Sequence, residues 1–218
     1  RVLPGVVRME GHRGPVVALQ GFDEGGFWVQ DTASVAVADL VPVAPGDRVL
    51  DACAAPGGKS FRLATRGAVV TPVDTSPDRL DRLHESAHRL DLELEGRVHD
   101  WTEGPMDGAG TFAAVLVDAP CTGLGTVRRH PDIRWRRHIT DVLAQAAAQG
   151  AILRSAATHV APGGALVYAV CSPEPEEGSA IVQDFLAEHP EFALDAELLT
   201  APPEGDEDAH YAARMRRA

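Results

Sequence analysis

The sequence predicts an α/β fold built on a doubly wound, mostly parallel Rossmann-like sheet. Two observations predict it. From Pro45 onward, short apolar runs alternate with amphipathic stretches at the spacing of strand–helix–strand units. Three of the apolar runs end in turns rich in reactive groups: Asp51-Ala-Cys-Ala-Ala-Pro-Gly-Gly-Lys-Ser60, Val117-Asp-Ala-Pro-Cys-Thr-Gly123 and Tyr168-Ala-Val-Cys-Ser172. Strand C-termini share one edge of a parallel sheet, and ligands bind in the crevice beyond it. A glycine turn and two thiols, distant in sequence, are therefore expected to meet in one site.

The elements follow in order. Val16 to Leu19 and Phe27 to Gln30 flank the Gly25-Gly26 turn and are expected to be short strands. Ser34 to Leu40 is an apolar stretch expected to be helical and stopped by Pro42 and Pro45. A strand at Arg48 to Asp51, a helix at Lys59 to Thr65 and a strand at Val69 to Asp74 come next. The helix expected over Pro77 to Leu92 has Ser76 to supply an N-cap oxygen and proline at its first position, where no amide hydrogen is needed. Arg97 to His99 and Phe112 to Asp118 read as strands. Alanine-rich Ile139 to Val160 reads as a long helix closed by Ala161 to Gly164, and Ala165 to Val170 as a strand. Glu174 to Glu188 is expected to be a helix with Ile181, Phe185 and Leu186 on its apolar face. Phe192 to Leu194 and Tyr211 to Met215 complete the seven strands expected after Pro45, with an acidic loop over Pro202 to Asp208 between them.

Composition narrows the function. The chain has 218 residues, 44% of them hydrophobic and 24% charged, enough for the core of one large domain. It opens on Arg1 and is expected to be part of a longer protein. No apolar run reaches the roughly 18 residues of a membrane span, and no signal peptide is visible, so a cytoplasmic location is expected. The three cysteines, Cys53, Cys121 and Cys171, form no CxxC pair, which argues against a disulfide framework or a zinc ribbon. The nine histidines are scattered, and no metal is expected. A net charge of −12 excludes a general nucleic-acid binder, because phosphate contact is mostly electrostatic. Positive charge is nonetheless gathered in one place. Arg128, Arg129, His130, Arg134, Arg136, Arg137 and His138 surround Trp135 soon after Cys121, which suits an anionic substrate.

The turns can be read chemically. Gly58-Lys59-Ser60 nearly completes a phosphate-binding G-x-x-x-x-G-K-[ST] loop, with Cys53 where the first glycine belongs. Pro56 argues against phosphate, because it removes an N–H group that such a loop exists to donate. Asp74 ends a strand about twenty residues past the glycine turn, where Rossmann-type units place a carboxylate for ribose hydroxyls. Asp100, at the end of the next strand, is placed to receive an adenine amino group. Cys171 precedes an expected helix start at Ser172-Pro173-Glu174, which would favour its thiolate. Cys121 lies beside Asp118, whose charge would disfavour a second anion.

In order and spacing, DACAAPGGKS, DTSPDR, DAPCTGLGTVRRHPDIRW and YAVCSPEPEEG resemble the Sun/Fmu/nucleolar-protein family of RNA (cytosine-5) methyltransferases, most closely its bacterial small-subunit rRNA branch. Phe27 to Ser34 resembles that family's lead-in motif. The resemblance implies transfer of a methyl group from S-adenosylmethionine to carbon 5 of a cytosine in RNA, probable substrate ribosomal RNA, through a covalent cysteine adduct. It implies that Cys171 attacks, that Cys121 serves proton loss and release, and that Asp118 bonds the base with Lys59 in support. It implies a cofactor site formed by Cys53, Ala54, Ala55, Pro56, Gly57, Gly58 and Lys59, with Asp74, Arg79, Asp100 and Asp118. Arg128, Arg129, Arg134, Trp135, Arg136 and Arg137 are the expected RNA contacts, and the target base must be unpaired or flipped. Residues 1–44 are then a lead-in segment on the RNA side, and 45–218 the catalytic domain. The chain departs from the family pattern at Val170, usually threonine, and in its short acidic loop before the last strand. Two other readings stand beside this one: a P-loop-like NTPase, and a non-catalytic RNA-binding or ribosome-assembly module of the same fold.

Overall fold

The structure is a computed structural model that describes residues 5–7, 9, 14–200 and 207–218. Its strands are β1 (Arg48–Asp51), β2 (Val69–Asp74), β3 (Arg97–Val98), β4 (Phe112–Asp118), β5 (Val160–Val170), β6 (Phe192–Thr200) and β7 (His210–Arg217). Its helices are α1 (Thr32–Leu40), α2 (Gly58–Ala64), α3 (Pro77–Arg89), α4 (Ile133–Arg136), α5 (Ile139–Ala157) and α6 (Ser179–Glu188). The seven strands form one sheet in the order β3-β2-β1-β4-β5-β7-β6. The first five are parallel; β7 runs antiparallel between β5 and β6.

The central strands are apolar on both sides because helices cover both faces. Successive residues alternate between the two halves of the core, as the strand period of two requires. Leu50, Val115, Val117, Leu166 and Tyr168 face Ile152 and Leu153 of α5 and Phe185 of α6. Val49, Leu116 and Val167 face Phe61 and Leu63 of α2 and Leu80 and Leu83 of α3. The α3 start is as expected: the Ser76 hydroxyl accepts from Arg79 N at 3.3 Å, and Pro77 takes the first position. With β1, β4 and β5 adjacent and parallel, the three reactive turns emerge side by side.

Several elements differ from the sequence expectation. Val16–Ala18 is a single 3₁₀ turn, and residues 27–30 are extended but join no ladder. The Arg89 guanidinium fastens this segment to α3 instead, donating to the carbonyls of Phe22 and Phe27 and lying 3.9 Å from the centre of the Phe22 ring. The long helix ends at Ala157, and Val160 already pairs with Phe112. Ala161 to Gly164 is thus an irregularity within β5, bulging between the Phe112↔Val160 and Ala114↔Ala165 pairs, rather than a helix stop. Strand β6 runs on to Thr200, past the expected end at Leu194. Asp195 pairs with Arg214 and Arg216 of β7, and Glu197 accepts from the Tyr211 hydroxyl. Helix α6 begins at Ser179, not Glu174. Of the expected acidic loop, residues 202–206 lie outside the described residues.

Past β4 the chain is pressed against the far side of the sheet. Gly125 N donates to Cys171 O at 3.0 Å, and Gly125 O accepts from Ala209 N at 3.0 Å. A Cβ at position 125 would stand 2.0 Å from Ala209 O and 2.8 Å from Cys171 O, both backbone atoms. Gly125→Ala is expected to destabilise the fold by about 1–3 kcal/mol, the scale of core overpacking, seen as a lower urea midpoint. An unchanged midpoint would mean that the strand ends separate without cost.

Candidate active site

The glycine turn is held from beneath. Ala52 N donates to Leu116 O at 2.8 Å, Ala54 N to Val73 O at 2.8 Å, and the Trp101 indole to Ala52 O at 2.7 Å. Buried Asp74 accepts from Ala55 N at 3.2 Å and from Ser76 N at 3.1 Å, while Arg79 donates to Ala55 O at 2.6 Å. Asp74 and Arg79, themselves 3.5 Å apart, therefore brace the turn. Gly57 has φ +108°, and a Cβ there would meet the Phe61 ring at 2.4 Å, so the turn closes onto α2 only with glycine.

Helix α2 then presents two side chains to the strand ends. The Ser60 hydroxyl donates to Asp51 Oδ2 at 2.6 Å, and Lys59 Nζ to Asp118 Oδ2 at 2.5 Å. Burial alone would push the Lys59 ammonium down, but the charge and hydrogen bond of Asp118 outweigh it and hold the pKa above the usual value. Asp51 is fully buried and its Oδ1 has no partner. Burial pushes its carboxyl from 3.8 up to about 7, against the Ser60 hydrogen bond and with help from the Asp118 charge. A cavity of about 340 Å³ lies over these groups. Asp51, Cys53, Ala54, Ala55, Pro56, Gly58, Lys59 and Asp118 line one side, and Trp28, Gln30, Ser34, Phe61 and Arg89 lie on the other. Burial and the neighbouring Asp51 charge push the Cys53 thiol well up, so it stays protonated.

The other two cysteines meet. Cys121 Sγ and Cys171 Sγ are 3.2 Å apart, at the ends of adjacent strands β4 and β5. The hydrogen bond from the Cys121 thiol lowers the Cys171 pKa; burial and Asp118 oppose this, and the Lys59 charge supports it. Cys121, as the donor in that bond and buried, is pushed far up. Cys171 is thus the more acidic thiol of the pair and Cys121 the less acidic.

The sequence reached the same ordering by a route the structure overturns. No helix starts at Ser172-Pro173-Glu174; residues 175–178 are turns, so no helix dipole aids Cys171. Asp118 bears on Cys171 rather than on Cys121, and its effect is offset by Lys59.

The remaining expected residues separate into two groups. Asp100 accepts from the backbone and hydroxyl of Thr102 at the end of β3 and does not line the cavity. In the basic segment, Arg129 donates twice to Asp208, which is fully buried, and Arg137 donates to Thr122 O at 3.0 Å. Arg128 lies 3.5 Å from Asp31 and 3.6 Å from Asp208. Trp135 is 78% exposed, with the Arg134 guanidinium 5.4 Å from its ring centre, and Arg136 pairs with Asp132 one turn back. The sequence reading missed Glu177, Gln149 and Thr122, which join beneath Cys121. Glu177 was hidden in an acidic run; of the two glutamines in the alanine-rich helix, Gln145 and Gln149, the second is the one that is fully buried.

The strand order, the antiparallel β7 and the glycine turn over a buried acid define a Rossmann-like methyltransferase domain. The chain belongs to the 16S rRNA methyltransferase RsmB/F family, whose sequence profile matches residues 38–215. It is 38% identical over 92% of its length to the ribosomal RNA small subunit methyltransferase B of Cronobacter sakazakii, covering 47% of that protein. Against the protein of the same name from Thermus thermophilus it is 38% identical over 99% of the chain and 54% of the relative. The chain thus spans about half the length of these relatives. Among solved structures, NSun6 from Pyrococcus horikoshii with SFG superposes with a TM-score of 0.86 at 24% identity, over 94% of this chain and 56% of that one. Family membership sets aside the NTPase reading.

The raised Asp51 pKa has a defined sign. A carboxyl with a folded pKa of about 7 and an ordinary value of 3.8 binds protons more tightly when folded, so its contribution to stability falls as pH rises between those values. Asp51→Asn removes this penalty. The stability of Asp51→Asn relative to the unmodified protein is expected to rise from about pH 5 to about pH 8 in urea titrations. A constant difference would show that Asp51 is already ionised at the lower pH.

Proposed function

We propose that this chain methylates carbon 5 of a cytosine in ribosomal RNA, with S-adenosylmethionine as methyl donor and Cys171 as covalent nucleophile. The observation that carries the proposal is the thiol pair, 3.2 Å apart beside the Lys59–Asp118 ion pair. Carbon 5 of cytosine is a weak nucleophile. Addition of the Cys171 thiolate to carbon 6 makes carbon 5 enamine-like, which splits one hard step into two easier ones. Asp118, held by Lys59, is suited to bond the base edge as charge develops there. Once Cys171 is bonded to carbon, its negative charge is gone, and with it part of what holds the proton on Cys121. After carbon 5 has received the methyl group, Cys121 gives its own thiol proton to solvent and takes the carbon 5 proton, the carbon 5–carbon 6 double bond re-forms, and Cys171 leaves as thiolate.

The cavity fits the proposed cofactor. S-adenosylmethionine is cationic at its sulfonium and its ammonium, and the cavity contains the unpartnered Asp51 oxygen and Asp118 against a lysine already paired. Residues 53–59, braced by Asp74 and Arg79, would hold it, and when bound it supplies the methyl group. Asp100 stands apart from that cavity. For RNA, the exposed Trp135 with Arg134 and Arg136 is the contact surface, because Arg129 and Arg137 are committed within the protein.

With substrate RNA and S-adenosylmethionine, Cys171→Ala is expected to form no covalent complex and no product. Cys121→Ala is expected to attack without release, so that a protein–RNA complex accumulates on a denaturing gel. Accumulation in Cys171→Ala instead would reverse the two roles. Replacing Arg134 and Arg136 with alanine is expected to flatten the salt dependence of RNA binding by up to roughly 0.7 units of log–log slope per lost contact. An unaltered slope would make these arginines a solvated face.

A further inference from the structure

Beneath the thiols, one carboxylate spans both cysteine loops. Glu177 lies six residues past Cys171 and is fully buried. Its Oε1 accepts from Thr122 N at 2.8 Å and from Gln149 Nε2 at 3.1 Å, and its Oε2 accepts from the Thr122 hydroxyl at 2.5 Å. Its own carbonyl accepts from the buried Tyr168 hydroxyl at 2.6 Å, which anchors it to β5. Gln149 of α5, also fully buried, donates in addition to Pro120 O at 2.9 Å. The residues on either side of Cys121 are therefore both fastened, Pro120 through Gln149 and Thr122 through Glu177. A hydrogen-bonded carboxylate is an acceptor only, and three donors converge on this one. Burial of such a charge is expensive, and here it is met by directed hydrogen bonds, with no ion pair to Glu177 among the described residues. A carboxylate in that position gives the structure something that an apolar contact would not: a fixed distance between the loop after β4 and the loop after β5.

We propose that Glu177, with Gln149 and Thr122, is the positioning residue that sets Cys121 against Cys171, and that it governs release of the covalent intermediate. This rests on the covalent reading above. Glu177 touches neither thiol; it acts through the Pro120–Thr122 backbone. Glutamine at 177 would replace three charge-assisted bonds by weaker neutral ones and, with its NH₂ facing the Thr122 hydroxyl, would reverse that bond so that the hydroxyl accepts. Attack by Cys171 draws on Lys59 as well as on the Cys121 contact, so it keeps one support when the Cys121 loop shifts. Proton removal from carbon 5 needs Cys121 held at a set distance, so a shift of that loop should slow release more than attack.

The test compares the full-length protein with Cys121→Ala, Glu177→Gln, Thr122→Val and Thr122→Ser, each incubated with substrate RNA and S-adenosylmethionine. Glu177→Gln is expected to accumulate the covalent protein–RNA complex, with kcat reduced about tenfold or more, toward the ~10²-fold cost of a 1 Å misplacement, and KM for RNA changed less than about twofold. Thr122→Val, which removes only the hydroxyl bond, should accumulate more complex than Thr122→Ser, which keeps it. If Glu177→Gln fails to fold or to bind cofactor by calorimetry, the valine–serine comparison decides. Trapping in Cys121→Ala with ordinary release in both Glu177→Gln and Thr122→Val overturns this proposal and leaves the covalent reading intact. Activity lost in Glu177→Gln through a raised KM, with no complex accumulated, also overturns it, because the residue is then only structural. No complex in Cys121→Ala overturns the covalent reading itself, and the proposal with it.

Discussion

The ion pair between Lys59 and Asp118 joins the two halves of the site. Lys59 is carried by α2, immediately after the glycine turn, while Asp118 is the last residue of β4. Their contact ties the loop that borders the cavity to the strand that leads to Cys121. It also fixes the position of a cation that acts on Cys171. A buried ion pair contributes little net stability, because desolvation of both charges offsets their attraction. Its value here is placement. The lysine lowers the Cys171 pKa while remaining neutralised by Asp118, so the thiolate gains support without an uncompensated charge in the core.

Most of the sheet was legible because a parallel strand buried on both faces has an unmistakable sequence. Val115-Leu116-Val117 and Ala165 to Val170 admit almost no polar residue, and the turns that follow them carry the chemistry. The misreadings share a cause. The strand expected at Phe27 to Gln30 has suitable residues, but no strand edge lies beside it, and Arg89 satisfies its carbonyls instead. Beyond Leu194, β6 carries Asp195 and Glu197, whose partners on β7 cannot be known before the antiparallel pairing is. Pro162-Gly163-Gly164 has the composition of a helix stop, yet it serves a strand bulge. Each time, a local preference was overridden by a partner distant in sequence.

For the candidate site, the sequence supplied the residues and the fold supplied their relations. Cys121, Cys171, Lys59 and Asp118 could be picked out from their motifs, and they do converge. The cause of the thiol asymmetry could not be read in advance. It depends on a sulfur–sulfur contact across two strands rather than on the helix start expected after Cys171. The Glu177 network was invisible for a related reason. Three glutamates within Glu174 to Glu177 suggest solvent, and only the burial of the last one distinguishes it from its neighbours.

The pairing of Arg129 with Asp208 changes what an approaching polyanion meets. The carboxylate belongs to the segment entering β7, has no exposed surface and draws on Arg129 and Arg128 together. A tally of arginines along the segment therefore overstates the electropositive field outside it, because part of that charge is cancelled at its source. What remains outside that cancellation is Arg134 and Arg136, on either side of the exposed Trp135. On the RNA reading proposed above, a strand would meet charge at that end of the segment rather than evenly along its length.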